Sequence, residues 1–238
     1  MSSSLLEARN IHKHFGGFAA LSNVNLRVED GERVGLIGPN GSGKTTLINC
    51  IAGALRSDSG SVRFMDVDIT GLAAHQRASL GLARSFQLPR PFSSMTVLEN
   101  VTVPLEYVGR HRAGTVSGAS EILQEVGLLG QAHTLAKSLT QVDLRRLELA
   151  RALAVRPRLL ILDEVMAGLS TSEVDAILKL VVRLNEQGMT VLMIEHIMHA
   201  IMKFSQRVVC LDAGQIVAEG SPSAIIGDPI VRRIYLGA

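Results

Sequence analysis

The chain contains few aromatic residues and few cysteines. Among its 238 residues, tryptophan is absent, and aromatic residues make up only 3%. Proteins that bind single-stranded nucleic acid usually stack bases on aromatic side chains, and the net charge of +2 is small. We therefore expect no nucleic-acid partner. The two cysteines, Cys50 and Cys210, lie far apart in apolar runs, and we expect both to be buried, reduced thiols.

The chain also lacks a long apolar run. The best candidate, residues 189–202, contains Glu195, His196 and His199, whereas a membrane-spanning helix needs about 20 predominantly apolar residues. We therefore expect no membrane span, and the polar start of the sequence predicts no signal peptide. Hydrophobic residues nevertheless make up 47% of the chain, which predicts a globular fold with an aliphatic core.

One glycine-rich segment has the spacing of a phosphate-binding loop (P-loop). It follows an apolar run and precedes a segment of helical periodicity, and it consists of Gly38, Pro39, Asn40, Gly41, Ser42, Gly43, Lys44, Thr45 and Thr46. Glycines let the backbone curl so that amide N–H groups converge on phosphate, and the helix that follows adds partial positive charge. We expect Lys44 to bind the β- and γ-phosphates and the Thr45 hydroxyl to ligate Mg²⁺. The segment thus predicts a site for a nucleoside triphosphate.

Two acids follow a second apolar run, residues 159–162. We expect Asp163 to end a strand beside the P-loop strand, where its carboxylate would meet Mg²⁺. Glu164, one residue further, is a candidate base for a water that attacks the γ-phosphate. His196 ends the next predicted strand and would contact the γ-phosphate only if that strand lies beside the Asp163 strand. His199 is interpreted as structural.

The remaining patterns predict an α/β fold with an inserted helical region. Short antiparallel strands are expected within residues 5–30, and residues 32–38 and 190–194 are expected to form buried strands. Ser170 and Glu173 have the spacing of a capping box. In the helix predicted over residues 141–155, we expect Arg145, Arg146 and Glu148 to face away from the core.

The order of these motifs resembles that of the ATP-binding-cassette (ABC) ATPases. Gln87 matches the glutamine that in this family contacts Mg²⁺ and the membrane partner, and Phe15 matches the aromatic residue that stacks on adenine. His196 matches the switch histidine of the family. The resemblance implies an ATPase that uses ATP and Mg²⁺. It also implies one domain, 1–238, with a RecA-like P-loop core, an antiparallel β subdomain and a helical subdomain at about 88–155.

Four further segments resemble the ATPase subunits of branched-chain amino-acid importers. They are residues 81–92, which run GLARSFQLPRPF, residues 95–101, which run MTVLENV, residues 163–169, which run DEVMAGL, and the closing residues 228–237. This narrower resemblance implies a second ABC ATPase subunit, an integral-membrane permease and, indirectly, a solute-binding protein as partners. It also implies a peripheral location at the cytoplasmic face of the inner membrane and the transport of a small amino acid or amide-like solute.

One segment departs from the family pattern. Where the family has L-S-G-G-Q, this chain has Leu139, Thr140, Gln141, Val142 and Asp143, here called the signature segment. In the family this loop approaches the γ-phosphate of the nucleotide bound to the opposite subunit. Side chains in place of both glycines are expected to crowd that phosphate, and Asp143 is expected to repel it. The alternative reading is therefore a catalytically weak or regulatory cassette that uses ATP for dimerisation. A different loop conformation that preserves the contact also stays open.

Overall fold

The first sheet is antiparallel and holds the N-terminal part of the chain. A computed structural model describes residues 4–85, 90–108 and 115–236. The sheet has the strand order β2-β1-β4-β5, and its strands are β1 (Ser4–Phe15), β2 (Phe18–Glu29), β4 (Ser59–Phe64) and β5 (Val67–Asp68). The strands predicted within residues 5–30 are thus two long strands, because the turn at Gly16 and Gly17 joins them directly.

The second sheet carries the P-loop strand at its centre. Its strands are β3 (Arg33–Ile37), β6 (Leu82–Arg84), β7 (Leu159–Asp163), β8 (Thr190–Ile194), β9 (Arg207–Asp212) and β10 (Gln215–Gly220). The order is β10-β9-β3-β8-β7-β6, with parallel pairing except for the β9–β10 hairpin.

This order corrects one prediction and meets the condition of another. The strand that ends at Asp163 is not beside the P-loop strand, because β8 lies between β3 and β7. A helix follows β7 and leads the chain to β8, which pairs with both strands. The strand before His196 does lie beside the Asp163 strand, which is the arrangement that a phosphate-sensing role for His196 requires.

The helices fall into two groups. Those of the core are α1 (Lys44–Ala52), α2 (Ala74–Ser79), α6 (Thr171–Glu186), α7 (Met198–Phe204), α8 (Pro222–Gly227) and α9 (Pro229–Leu236). Between β6 and β7 lie α3 (Val97–Val108), α4 (Thr115–Glu125) and α5 (Gln141–Leu153), and α3 packs against both α4 and α5. Within the described ranges, no helix is both long and apolar enough to cross a membrane.

Local sequence explains why the central elements form where they do. All five residues of β7 and all five of β8 are buried, which is expected for parallel strands that are covered on both faces. Helix α6 begins after Ser170, whose backbone N–H and hydroxyl both bond to Glu173 Oε2, at 2.8 and 2.7 Å. This is the predicted capping box, and it fixes the start of the helix.

Two apolar cores stabilise this arrangement. One fills the space between the two sheets around α1, where Leu47, Ile48 and Ile51 are fully buried. The other joins the opposite face of the second sheet to α3, α5 and α6. The predicted architecture, an α/β core with an antiparallel β subdomain and a helical subdomain, is confirmed.

Helix α5 differs from its prediction. Arg145 and Glu148 are only 8% and 6% exposed, so the expectation that they face away from the core is wrong. The helix contacts α3 and α4, and Arg145 also reaches the backbone of the segment that follows β7. Because α5 packs against neighbours on more than one side, a single apolar stripe does not describe its buried surface.

Candidate functional site

The predicted site residues gather where three parallel strands end. The register pairs Leu36 of β3 with Ile194 of β8, and Ile194 with Asp163 of β7. Asp163 is itself one of these positions, and the P-loop, Glu164 and His196 follow them closely in the chain. They therefore meet at the carboxyl edge of the sheet, which is where α/β folds generally bind ligands.

The P-loop ends at a helix N-terminus that has no side-chain cap. Helix α1 begins at Lys44, and its N-cap, Gly43, has a left-handed φ of 106° and makes no side-chain capping bond. No capping side chain therefore occupies the N–H groups of the first turn, which leaves them available to bind an anion. A Cβ on Gly38 would lie 2.1 Å from the carbonyl oxygen of Leu211. This position therefore requires glycine.

The Lys44 side chain is buried against the P-loop, in which it is expected to bind phosphate. It is 5% exposed, and its ammonium donates to the carbonyl oxygens of Gly38 and Pro39 at 2.8 and 2.9 Å. Burial lowers the pKa of Lys44, while the negative charges of Glu164 and Asp163 act in the opposite direction. Both carboxylates therefore lie near the ammonium, although β7 does not adjoin the P-loop strand.

A cavity of about 270 Å³ opens beside this loop. It is lined by Phe15, Phe18, Ala20, Asn40, Gly41, Gly43, Lys44, Thr45, Thr46 and Glu164. Phe15 and Phe18 are 52% and 64% exposed and face each other across the β1–β2 turn. Sequence reasoning identified Phe15 and missed Phe18, which the two-residue turn alone would have placed opposite it. The cavity thus offers apolar surface for a base next to donors for phosphate.

A larger cleft lies at the other end of the strands. Its volume is about 650 Å³, and its lining includes Asp30, which precedes β3, and Arg158, Gly188 and Met189 at the amino ends of β7 and β8. It contains none of the predicted site residues, so the smaller cavity is the candidate site.

Glu164 and His196 are in direct contact. His196 Nε2 lies 2.6 Å from Glu164 Oε1, so the ring N–H donates to the carboxylate. Glu164 has a left-handed φ of 50°, and its own N–H bonds to the carbonyl of Ile194 at 2.9 Å. Such a backbone conformation is uncommon for a residue with a side chain and is often found at functional sites. The two candidate residues for hydrolysis are thus held together at the cavity.

Asp163 is held by a residue that the sequence did not reveal. Its Oδ2 accepts from Arg84 at 2.6 Å, and Arg84 also donates to Asn49 Oδ1 of α1 at 2.5 Å. Arg84 therefore fixes the Asp163 carboxylate relative to the helix that follows the P-loop. The sequence signal for Arg84, one arginine at the end of a three-residue strand, is weak.

The candidate Mg²⁺ ligands suit a metal held mainly by phosphate and water. Among the described residues, no group of three or more His, Cys, Asp or Glu side chains could hold an ion by itself. Mg²⁺ in nucleotide sites commonly uses one or two protein ligands, and the exposed Thr45 hydroxyl with the Asp163 carboxylate fits that pattern. Gln87, the third predicted ligand, lies outside the described residues.

The signature segment is closed by its own hydrogen bonds. Thr140 Oγ1 donates to Asp143 Oδ2 at 2.9 Å and accepts from the Asp143 N–H at 3.2 Å. The Asp143 carboxylate also accepts from Gln131 at 3.1 Å and from Arg146 at 3.2 Å. Asp143 is 9% exposed, so its charge is partly neutralised within the helical subdomain.

The fold and the site define a P-loop nucleotide hydrolase. The decisive features are an uncapped helix after a glycine-rich loop and a carboxylate–histidine pair at the same sheet edge. A family model described as "ABC transporter" matches residues 21–167. The chain belongs to this family, and it is an ATP-binding ATPase subunit of a transporter.

Similar proteins cover the whole chain. It is 37% identical over 253 residues to the high-affinity branched-chain amino acid transport ATP-binding protein BraF of Pseudomonas aeruginosa, covering 100% of this chain and 99% of BraF. The ADP conformation of the ATP-binding cassette MJ1267 has a TM-score of 0.91 at 33% identity, with both chains covered completely. The dimeric cassette MJ0796 has a TM-score of 0.83 at 28% identity, over 91% of this chain and 98% of that one.

Proposed function

We propose that this ATPase powers the import of branched-chain amino acids or of a similar small amino acid. The full-length similarity to BraF supports this substrate class. The observation that carries the proposal is the Glu164–His196 pair beside the P-loop cavity. A subunit that only bound ATP would not need a carboxylate held by histidine at that point.

Different residues of the site would bind the adenine, the phosphates and the magnesium ion of ATP. Phe15 and Phe18 offer apolar faces for the adenine, and the amides of the P-loop with Lys44 bind the phosphates. Mg²⁺, when bound, would neutralise charge on the β- and γ-phosphates, with Thr45, Asp163 and Gln87 as its protein ligands. Arg84 holds Asp163 in place for this role.

Hydrolysis then depends on Glu164 and His196. Glu164 accepts a proton from water as the water oxygen bonds to the γ-phosphorus and the bond to the β–γ bridging oxygen breaks, which gives ADP and phosphate. His196 donates to Glu164 and orients it. The His196 side chain is 40% exposed, which allows it to contact the γ-phosphate. Most of the rate comes from position and charge, because phosphoryl transfer needs little covalent chemistry from the protein.

The partners are a second cassette and a membrane permease. MJ0796, whose fold this chain shares, forms a dimer, and in our proposal two cassettes close head-to-tail over two nucleotides. A groove of about 320 Å³ between the α/β core and the helical subdomain is lined by Ala74, Ala78, Pro104, Arg151 and Val155, among others. A permease segment would dock there. This arrangement keeps the chain at the cytoplasmic face of the membrane, and a solute-binding protein would deliver the amino acid to the permease.

The test separates hydrolysis from transport. The tagged chain is purified from membranes with its bound subunits and reconstituted in liposomes with the co-purifying binding protein. We expect ATP-dependent uptake of radiolabelled leucine, competed by isoleucine but not by lysine. Glu164→Gln should keep ATP binding and lose nearly all phosphate release. Leucine-independent hydrolysis without uptake would refute the substrate class, and near-normal turnover in E164Q would remove Glu164 as the base.

The signature segment favours a second function, that of a weak or regulatory cassette. In this structure the Thr140 hydroxyl donates to the Asp143 carboxylate. That carboxylate therefore competes with any phosphate for the hydroxyl. Asp143→Gln restores the family residue and removes the charge. If the segment limits turnover, we expect D143Q to raise phosphate release several-fold in the assembled complex. Unchanged turnover in D143Q and in Gln141→Gly/Val142→Gly would show that the segment does not limit hydrolysis.

A further inference from the structure

The residues that follow Glu164 form a loop, residues 164–169, that is anchored from two other elements. The Met166 N–H donates to Glu195 Oε1 at 2.9 Å, and the Ala167 carbonyl accepts from Arg145 Nη2 at 3.1 Å. Together with the bond from Glu164 N–H to Ile194, these contacts fix three of the first four residues of the loop. The conformation of Glu164 therefore depends on side chains outside its own segment.

Glu195 occupies a position where a carboxylate is costly. It lies between the end of β8 and His196 and is only 2% exposed. Burial is the main cause that raises the pKa of Glu195 to about 7; the charge of Glu164 acts in the same direction, while the N–H groups of Met166 and His196 and the charge of Arg145 act in the opposite direction. A buried acid costs free energy unless its oxygens are bonded. A packing role alone would be served better by an apolar residue.

Arg145 connects the same loop to the signature segment. It lies in the second turn of α5, the helix that starts after Thr140, and it is 8% exposed. Burial lowers its pKa, while Glu195 and Glu148 raise it. Its guanidinium thus lies near two acids and bonds to the loop. A shift of α5 would be transmitted through Arg145 to the backbone beside Glu164.

We propose that Glu195 and Arg145 are positioning residues for ATP hydrolysis, which hold the 164–169 loop and couple it to the helix of the signature segment. The proposal rests on the proposed role of Glu164 as the base. Neither residue touches the reacting atoms. Glu195 supplies the acceptor that sets the turn after Glu164, and Arg145 relates that turn to α5.

The first experiment compares two substitutions of nearly the same size. Glu195→Leu removes the acceptor for the Met166 N–H, and Glu195→Gln keeps an acceptor oxygen without the charge. We expect E195L to lower kcat about tenfold to a hundredfold, since small displacements of a reacting group have effects of this order. Its KM for ATP should stay within about threefold, because the P-loop is untouched. E195Q should keep most of kcat at neutral pH.

The second experiment tests the coupling to α5. Arg145→Met should lower kcat with little change in KM, and E195L/R145M should lose less than the product of the two single effects, because both act on one loop. Asn185→Leu is the matched control. Asn185 is also buried and bonds to Gly31 and Met189 at the other end of the sheet, so it should lower Tm without lowering kcat.

The outcomes distinguish this proposal from the function on which it rests. If E164Q retains turnover, the base assignment fails and the positioning proposal fails with it. If E164Q is inactive while E195L keeps kcat within twofold of the wild type, the positioning proposal alone is overturned. Equal losses in E195Q and E195L would also overturn it, because the acceptor would then not be the property that matters.

Discussion

The buried carboxyl of Glu195 makes the stability of the protein depend on pH. Its pKa is about 7 in the folded chain, whereas the ordinary pKa of a glutamate, which applies to the unfolded chain, is 4.5. The folded state therefore holds a proton that the unfolded state has released between these pH values. Stability from this group is fully present below pH 4.5 and is lost as the pH rises through 7. Glu195→Gln stays neutral in both states and avoids this loss.

The size of the effect follows from the shift. One pKa unit corresponds to about 1.4 kcal/mol, so the loss approaches about 3 kcal/mol at pH 8 and is about 1 kcal/mol at pH 5. The free energy of unfolding of E195Q, relative to that of the wild type, should therefore be about 2 kcal/mol higher at pH 8 than at pH 5. For a chain of this length, that corresponds to about 4–8 °C in Tm. Glu164 and Arg145 face the group from neighbouring segments, and both are kept in the comparison.

Thermal unfolding of the nucleotide-free chain at pH 5 and pH 8 measures this difference. The matched control is Glu186→Gln, the same chemical change at an exposed position near the end of α6, which should leave the wild-type pH dependence unchanged. Parallel Tm values for the wild type and E195Q across this range would refute the reasoning, because the burial of Glu195 would then carry no free energy.

Two other contacts give independent predictions. Arg84→Met leaves the Asp163 carboxylate buried without the guanidinium that bonds to it. The substitution should cost about 3–5 kcal/mol of unfolding free energy in urea titrations. Arg158→Met removes an exposed ion pair and should cost less than about 1 kcal/mol; similar costs would contradict this account. Tyr235→Phe removes the hydroxyl that accepts the Gly38 N–H at 2.7 Å. It should cost about 1 kcal/mol and weaken ATP binding by up to about fivefold in titration calorimetry, whereas wild-type values for both would show that this contact does not support the P-loop.

Local signals made much of the site predictable. The P-loop, the strand before it and the helix after it are adjacent in sequence, so glycine spacing and apolar periodicity locate all three. The start of α6 was predictable for the same reason, since Ser170 and Glu173 form a local capping box. The phosphate-sensing role of His196 was predicted only on the condition that its strand lies beside the Asp163 strand, and the strand order β3-β8-β7 supplies that condition. The contact between His196 and Glu164 was not predicted.

The rest depends on tertiary packing that sequence does not record. The helical periodicity of α5 predicted that Arg145 and Glu148 face solvent, whereas both are buried. For Arg145, part of the covering surface is a loop distant in sequence, to which it bonds at Ala167. Arg84 reaches Asp163 across 79 residues, and no pattern in a three-residue strand predicts that pairing. Tyr235 contacts the P-loop from α9, and no sequence pattern predicts this contact either.

The grip of the P-loop on ATP is tested most directly by equilibrium binding to Lys44→Ala. The ammonium donates to two carbonyls of the loop and lies near two acids, so its removal should weaken ATP binding at least tenfold, or by about 1.4 kcal/mol or more. The wild type and E164Q, which keep Lys44, should bind ATP with similar affinity. An unchanged affinity in K44A would contradict the account at its foundation.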